Sequence, residues 1–149
     1  MRFRTFLAGC LGGLLSLNSC TNSPDMTDYA AYVNPFIGTG GHGHTFPGAI
    51  LPHGMISPSP DTRIDGWDAC SGYYYADSTI NGFSHTHLSG TGCCDYGDVL
   101  LMPTVGEQKY LPTGSQSQKM AYASSFSHQN ETAEPGYYSV FLDTYQVKA

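Results

Sequence analysis

The sequence predicts an all-β, loop-rich fold, part of an antiparallel β-sandwich, on three observations. Short apolar runs recur along the chain, each bounded by Gly, Pro, Asn or Asp, which is how strands and their turns read. Beyond an apolar leader, no long segment keeps apolar side chains at helical period. Composition agrees: charged residues make up 12% of the 149, while Gly (18), Tyr (11) and Pro (9) run high. An average soluble domain is roughly 25% charged. Low charge with many aromatics also argues against intrinsic disorder. Six Lys and Arg against twelve Asp and Glu give a net charge of −6, and loss of Arg2 and Arg4 would take it to −8. So acidic a chain repels phosphate backbones, which argues against nucleic acid as a partner.

Taken in order, residues 1–19 read as an export signal. Arg2 and Arg4 precede an uncharged run that holds Leu7, Leu11, Leu14, Leu15 and Leu17. That run is too short to cross a membrane core of roughly 30 Å as a permanent helix. Leu7-Ala8-Gly9-Cys10 and Leu17-Asn18-Ser19-Cys20 each resemble a bacterial lipobox. Processing at Cys10 would leave too little apolar chain, so Cys20 is the expected lipidation site, giving a diacylated membrane anchor. The alternative is a plain secretory signal with Cys20 unmodified. Either way the mature chain meets an oxidising compartment, at the periplasm, the outer membrane or the cell surface. Residues 20–31 form a tether, polar and broken by Pro24.

From position 32 onward, Asn34-Pro35, the glycines at 38, 40, 41 and 43, and Phe46-Pro47-Gly48 break the chain too often for any long element. The first third is therefore expected to be mostly loop. Strands are expected at 72–76, 82–88, 98–102, 122–127 and 137–142. Positions 143–146 read as a turn, and Val147-Lys148-Ala149 as the opening of the next strand.

Chemistry-bearing residues cluster. Five of the six histidines are His42, His44, His53, His85 and His87, with His128 apart. In an extended strand alternate residues share a face, so His85 and His87 are expected to point the same way. Two readings stay open on spacing alone: a histidine-ligated transition-metal site, or imidazoles lining a polar cleft. Bare backbone around His42 and His44 allows a ligand to approach closely, although no Gly-Lys-Ser/Thr follows to make a phosphate loop. Trp67, the only tryptophan, is followed by Asp68. An indole beside a carboxylate suits a sugar, whose apolar face stacks and whose hydroxyls donate; a core tryptophan is the other reading. Cys70, Cys93 and Cys94 are too many for one disulfide and too few for two, and their connectivity is not derivable.

Long motifs then bring in a resemblance. Tyr32-Val33-Asn34-Pro35-Phe36-Ile37-Gly38-Thr39-Gly40-Gly41-His42-Gly43-His44-Thr45-Phe46-Pro47-Gly48-Ala49 resembles the opening of the N-terminal domain of glycoside hydrolase family 92. In order after it come Ser59-Pro60-Asp61-Thr62-Arg63, Gly66-Trp67-Asp68, Cys70-Ser71-Gly72-Tyr73 and the glycine-histidine stretch from Gly82 to Cys93. Asp95 to Pro103 and Pro135 to Val140 complete the match. Ala69 and Cys94 depart from the residues common in that family.

The resemblance implies the N-terminal β-sandwich domain (32–149) of a calcium-dependent, exo-acting α-mannosidase that inverts the anomeric centre. Such a domain packs on an (α/α)6 barrel that supplies both catalytic carboxylates and the calcium ligands, so no catalytic residue and no metal ligand is assigned to this chain. The residues expected to line the mannose pocket are Trp67, Asp68, His42, His44, His85 and His87. The partners implied are a mannose-containing glycan, the barrel domain and, through Cys20, a membrane. The chain is expected to stop part-way through the sandwich, to fold poorly alone and to be inactive by itself. The competing expectation is a non-catalytic carbohydrate-binding lipoprotein.

Overall fold

The computed structural model describes residues 27–52, 54–63, 66–93, 97–110 and 121–149. The export signal at 1–19, the lipidation site Cys20 and most of the tether lie outside the described residues, as do His53 and Cys94. The described chain is all-β. Seven short strands run β1 (Ser59–Asp61), β2 (Thr79–Ile80), β3 (Gly82–Ser84), β4 (Ser124–Ser125), β5 (Glu131–Glu134), β6 (Tyr137–Leu142) and β7 (Val147–Lys148). All pairings are antiparallel: β1 with β3, β2 with β4, and a three-stranded sheet in the order β5-β6-β7. Single 3-10 turns at Tyr29–Tyr32, Trp67–Ala69 and His128–Asn130 are the only helical elements among the described residues.

β6 is the one strand whose pattern is strong, and its bounds match the expectation. Alternate residues face one side, so Val140 and Leu142 are both fully buried. They meet Ile80 of β2 and Phe126, and this four-residue cluster is the apolar core. Burial of such side chains stabilises by about 1.5–3 kcal/mol each. Pro135-Gly136 joins β5 to β6, and Gly136 takes a φ of 76°. Proline followed by a left-handed glycine is the chemistry of a type II turn. β7 forms as expected, with Leu142 opposite Val147.

Other expectations are corrected. Residues 72–76 form turns rather than a strand: Gly72 sits at φ 90° and its carbonyl accepts from the N–H groups of both Thr62 and Arg63. The expected strand at 82–88 ends at Ser84, because Ser57 takes over the backbone groups beyond it. Ser57 N–H donates to the His85 carbonyl (2.8 Å), its hydroxyl donates to the His87 carbonyl (3.1 Å), and His87 N–H donates to that hydroxyl (2.8 Å). His85 and His87 therefore do not share a strand face. At 98–102 only Leu101 pairs, with Phe83, and Val99 stands in a left-handed conformation at φ 55°. The 122–127 run contracts to two residues in β4. Strands β1, β2 and β5 were not expected; β1 contains a proline, and all three are rich in polar side chains.

Buried side-chain hydrogen bonds do much of the holding. Glu131, whose side chain is 1% exposed, accepts from the Tyr73 hydroxyl (2.9 and 3.1 Å), the Tyr138 hydroxyl (2.6 Å) and Nδ1 of His128 (2.6 Å). Burial first, and then the adjacent Glu131 carboxylate, pushes both tyrosine hydroxyls well above their ordinary titration range. The folded chain thus keeps two protons that an unfolded chain releases above about pH 10. Stability is fully present below that pH and falls as pH rises, by up to about 2.7 kcal/mol per pH unit for the two groups together. Urea unfolding followed between about pH 8 and pH 11 should show this fall, and Tyr73→Phe or Tyr138→Phe should each remove about half of the slope.

Candidate functional site

The site is built on two loops. The first, residues 34–45, is tied by its own backbone. The Asn34 side chain accepts from Phe36 N–H (3.0 Å), and Thr39 and Thr45 donate their hydroxyls to the carbonyls of Phe36 (2.8 Å) and Ile37 (2.9 Å). Gly43 is obligatory here, since a Cβ on it would lie 2.1 Å from the Gly38 carbonyl oxygen. His44 follows in a left-handed conformation at φ 52°, which a side chain adopts only when its surroundings enforce it.

The second loop carries Trp67. It is closed at its neck by Gly72, whose carbonyl takes Thr62 N–H at 2.8 Å and Arg63 N–H at 3.2 Å. Arg63 forks onto Asp77 through Nε (2.8 Å) and Nη2 (2.9 Å), and its guanidinium lies 4.2 Å from the Tyr74 ring centroid. The hydrogen bond to Asp77 is the main reason the Arg63 pKa is raised. Thr62 also donates to Asp77 (2.9 Å) and accepts from Tyr74 N–H (2.8 Å). A rigid neck presents Trp67 outward, 57% exposed, at the start of its 3-10 turn.

The loops meet at the indole. His42 lies with its ring centroid 4.8 Å from that of Trp67, and its Nδ1 is 2.7 Å from an Asp68 oxygen. Both members of this pair are solvent-exposed, so it orients more than it stabilises. His44 meets the indole edge-on at 4.7 Å; it is buried, its Nδ1 contacts Cys70 Sγ, and its Nε2 has no hydrogen-bond partner among the described residues. Gly92 passes close by, where a Cβ would stand 3.2 Å from the indole nitrogen. Four expected residues, Trp67, Asp68, His42 and His44, therefore come together, although 26 positions separate each histidine from its partner.

His85 and His87 are placed elsewhere. His85 Nδ1 meets the Val99 carbonyl at 2.7 Å, and the residue lines an apolar groove with Pro58, Phe83, Leu101 and Tyr138. His87 is buried. Its Nδ1 faces the Ser57 carbonyl (2.7 Å) and its Nε2 faces Asp61 (2.9 Å) and the Ser84 hydroxyl (3.0 Å). Polar groups of the fold meet both ring nitrogens, so the His87 ring is committed to the fold on both sides. Cys70, whose Sγ contacts His44 Nδ1, entered the sequence reading as a candidate for a disulfide and as part of the family motif, not as a residue of the pocket.

Among the described residues no three His, Cys, Asp or Glu side chains converge to hold a metal ion. Calcium requires six to eight oxygen ligands, and the described buried carboxylates are already engaged: Asp61 with His87, Glu131 with two tyrosines and His128. These residues do not fit a calcium site.

Fold and site together define an all-β domain whose chemistry-bearing side chains ride on loops closed by buried polar contacts. The model of the glycosyl hydrolase family 92 N-terminal domain matches residues 32–149, and the chain belongs to that family. Among solved structures it is similar to a family GH92 α-mannosidase from Bacteroides thetaiotaomicron at 50% identity and a TM-score of 0.74, covering 80% of this chain and 16% of that one. That α-mannosidase is also solved in complex with mannoimidazole. A family GH92 inverting mannosidase from the same organism is 32% identical, TM-score 0.58, covering 83% of this chain and 16% of that one. An uncharacterized secreted glycosidase of Arthroderma benhamiae is 34% identical over 117 residues, 78% of this chain and 15% of that protein. The chain thus spans about one-sixth of the length of these relatives.

The Gly43 contact gives a direct test of how the first loop is held. Gly43→Ala should lower the stability by about 1–3 kcal/mol and shift the emission of Trp67, both read in one urea titration followed by tryptophan fluorescence.

Proposed function

We propose that this domain is the sugar-pocket wall of an exported, lipid-anchored α-mannosidase, with Trp67 stacking on a terminal α-mannose. The observation that carries the reading is the exposed indole with His42, His44 and Asp68 gathered around it. An aromatic face takes the apolar face of a pyranose, and a carboxylate and imidazoles exchange hydrogen bonds with its hydroxyls. Membership of family 92 supports the reading, as do a 50% identical α-mannosidase solved with a mannose-like ligand and a relative named as secreted. His87 contributes indirectly, by holding Asp61, against which Gly72 at the neck of the Trp67 loop is packed.

In an inverting glycosidase one carboxylic acid protonates the leaving oxygen while a second carboxylate takes a proton from the attacking water, the two standing about 6.5–9.5 Å apart. In this proposal both groups, and the calcium ligands, come from the partner barrel domain of the complete enzyme. This domain binds and orients the non-reducing sugar and excludes water from one side. Cys20 anchors the chain to the membrane, and the region 20–31 is the tether.

A single tryptophan makes the test direct. Methyl α-mannoside should change Trp67 emission saturably in the millimolar range, roughly −4 kcal/mol, and methyl α-galactoside should not. His42→Ala should weaken the mannoside response about fivefold, and the chain alone should hydrolyse no aryl α-mannoside. An emission spectrum indifferent to mannoside, in a chain whose near-ultraviolet circular dichroism shows fixed aromatic packing, would overturn the reading.

A further inference from the structure

One buried ring stands behind both loops of the site. The His87 side chain is only 2% exposed, which closes it to a ligand. Towards the Trp67 loop its Nε2 meets Asp61 Oδ1 at 2.9 Å, and the neck of that loop rides on both groups: a Cβ on Gly72 would lie 2.3 Å from Asp61 Oδ1 and 2.9 Å from His87 Nε2. Backbone packed that closely follows any movement of the imidazole or of the carboxylate it holds. Towards the first loop the same ring packs on Phe46, with centroids 4.9 Å apart and planes 35° from parallel. Phe46 is buried and stands two residues after His44.

The two loops are also joined to each other and to the chain that leaves His87. Ser71, beside Gly72, donates its hydroxyl at 2.9 Å to the carbonyl of Thr45, beside Phe46. Three residues beyond His87, Gly90 N–H donates to the His44 carbonyl at 2.6 Å, and Gly92 follows against the indole nitrogen. Gly72, Phe46 and Gly90 thus lead from one imidazole towards Trp67 and His44 by three routes. The other ring nitrogen, Nδ1, meets the Ser57 carbonyl at 2.7 Å, in the segment that enters β1.

We propose that His87 is a positioning residue for sugar binding, which sets the stance of Trp67 and of His44 together without touching the ligand. Asp61 and Gly72 carry its effect to the indole, and Phe46 carries it to His44. For its effect on affinity this inference rests on the mannoside reading of Trp67; for its effect on the indole it rests on the packing of the two loops alone.

Two carboxamides separate positioning from bulk stability. In His87→Gln the carboxamide reaches to where Nε2 stands and can still pair with Asp61; in His87→Asn it reaches only to where Nδ1 stands, pairs with Ser57 and leaves Asp61 without that partner. Each gives up the polar contacts of one ring nitrogen, so a merely structural residue responds to both alike. Fluorescence anisotropy of Trp67, the only tryptophan, reads the freedom of the indole without any ligand. His87→Asn should bring it about halfway to the urea-unfolded value and weaken the methyl α-mannoside response about fivefold, because a wall that must be ordered on binding costs affinity. His87→Gln, which keeps the Asp61 route, and Phe46→Leu, which leaves every contact of Asp61 in place, should each show a smaller fall in anisotropy and a loss of about twofold. Equal effects of the Asn and Gln substitutions on both readouts overturn the proposal, as does parent-like anisotropy in a folded His87→Asn chain. Should His87→Asn give no cooperative urea transition, Phe46→Leu and His87→Gln decide, and parent-like anisotropy in both overturns the proposal. A parent anisotropy no higher than in urea overturns it too, since no stance is then fixed. If anisotropy follows the expected order but mannoside changes nothing in the parent, the mannoside reading fails and the control of the indole by His87 stands. If the parent binds mannoside and His87→Asn keeps both its anisotropy and its affinity, this inference alone fails.

Discussion

The Asp61 carboxylate is the constraint on which the site depends. One oxygen takes His87 Nε2 at 2.9 Å, the other takes Ser84 N–H at 2.8 Å, and the Asp61 carbonyl accepts from Asn81 N–H at 2.7 Å. One segment, residues 81–87, is thus pinned at three points to a single residue of β1. A buried carboxylate is tolerable only when its lone pairs are filled by such donors, so each donor is costly to remove. Asp61 also dictates what passes over it: a Cβ on Gly72 would lie 2.3 Å from its Oδ1. Gly72 closes the neck of the Trp67 loop, so the orientation of the indole follows from how closely backbone approaches that carboxylate.

The need for such polar anchors follows from how little apolar core there is. Ile80, Phe126, Val140 and Leu142 sit between β2 and β6, and none of the loop residues at the indole reaches them. Loops without apolar burial are held by side-chain-to-backbone bonds or not at all. Thr39, Thr45, Ser57, Thr62 and Ser71 all make such bonds, and together they explain why a chain so rich in glycine keeps defined loops.

What sequence reasoning reached divides along the same line. β6 was legible because its alternation and its Pro-Gly entry are local signals, and β7 because a turn separates it from β6. β1 was not: Ser59-Pro60-Asp61 carries no apolar alternation, and it is a strand only because β3 supplies the partner. Residues 72–76 failed in the opposite sense. Three consecutive tyrosines have strong strand propensity, but Gly72 at φ 90° and the pull of Asp77 on Thr62 and Arg63 bend them into turns. At the site, Trp67 and Asp68 are neighbours in sequence and were read together. The convergence of His42 and His44 on them was reached through family resemblance rather than spacing. The Glu131 network left no local trace, because Tyr73 and Glu131 are 58 residues apart.

Two buried acids, Asp61 and Glu131, each gather several donors, and this arrangement has a thermodynamic rationale. A buried carboxylate with its donors is seldom more stable than apolar residues of equal volume, so its retention is better explained by geometry than by stability. A shallow sugar site gains little from each contact and loses affinity if its walls must be ordered on binding. On the proposed reading, fixing Trp67 through Asp61 and Gly72 removes that loss beforehand. The same logic explains why Trp67 is exposed while Tyr73 is buried. The Tyr73 hydroxyl that would otherwise seek water finds the Glu131 carboxylate, while the indole of Trp67 is left facing outward.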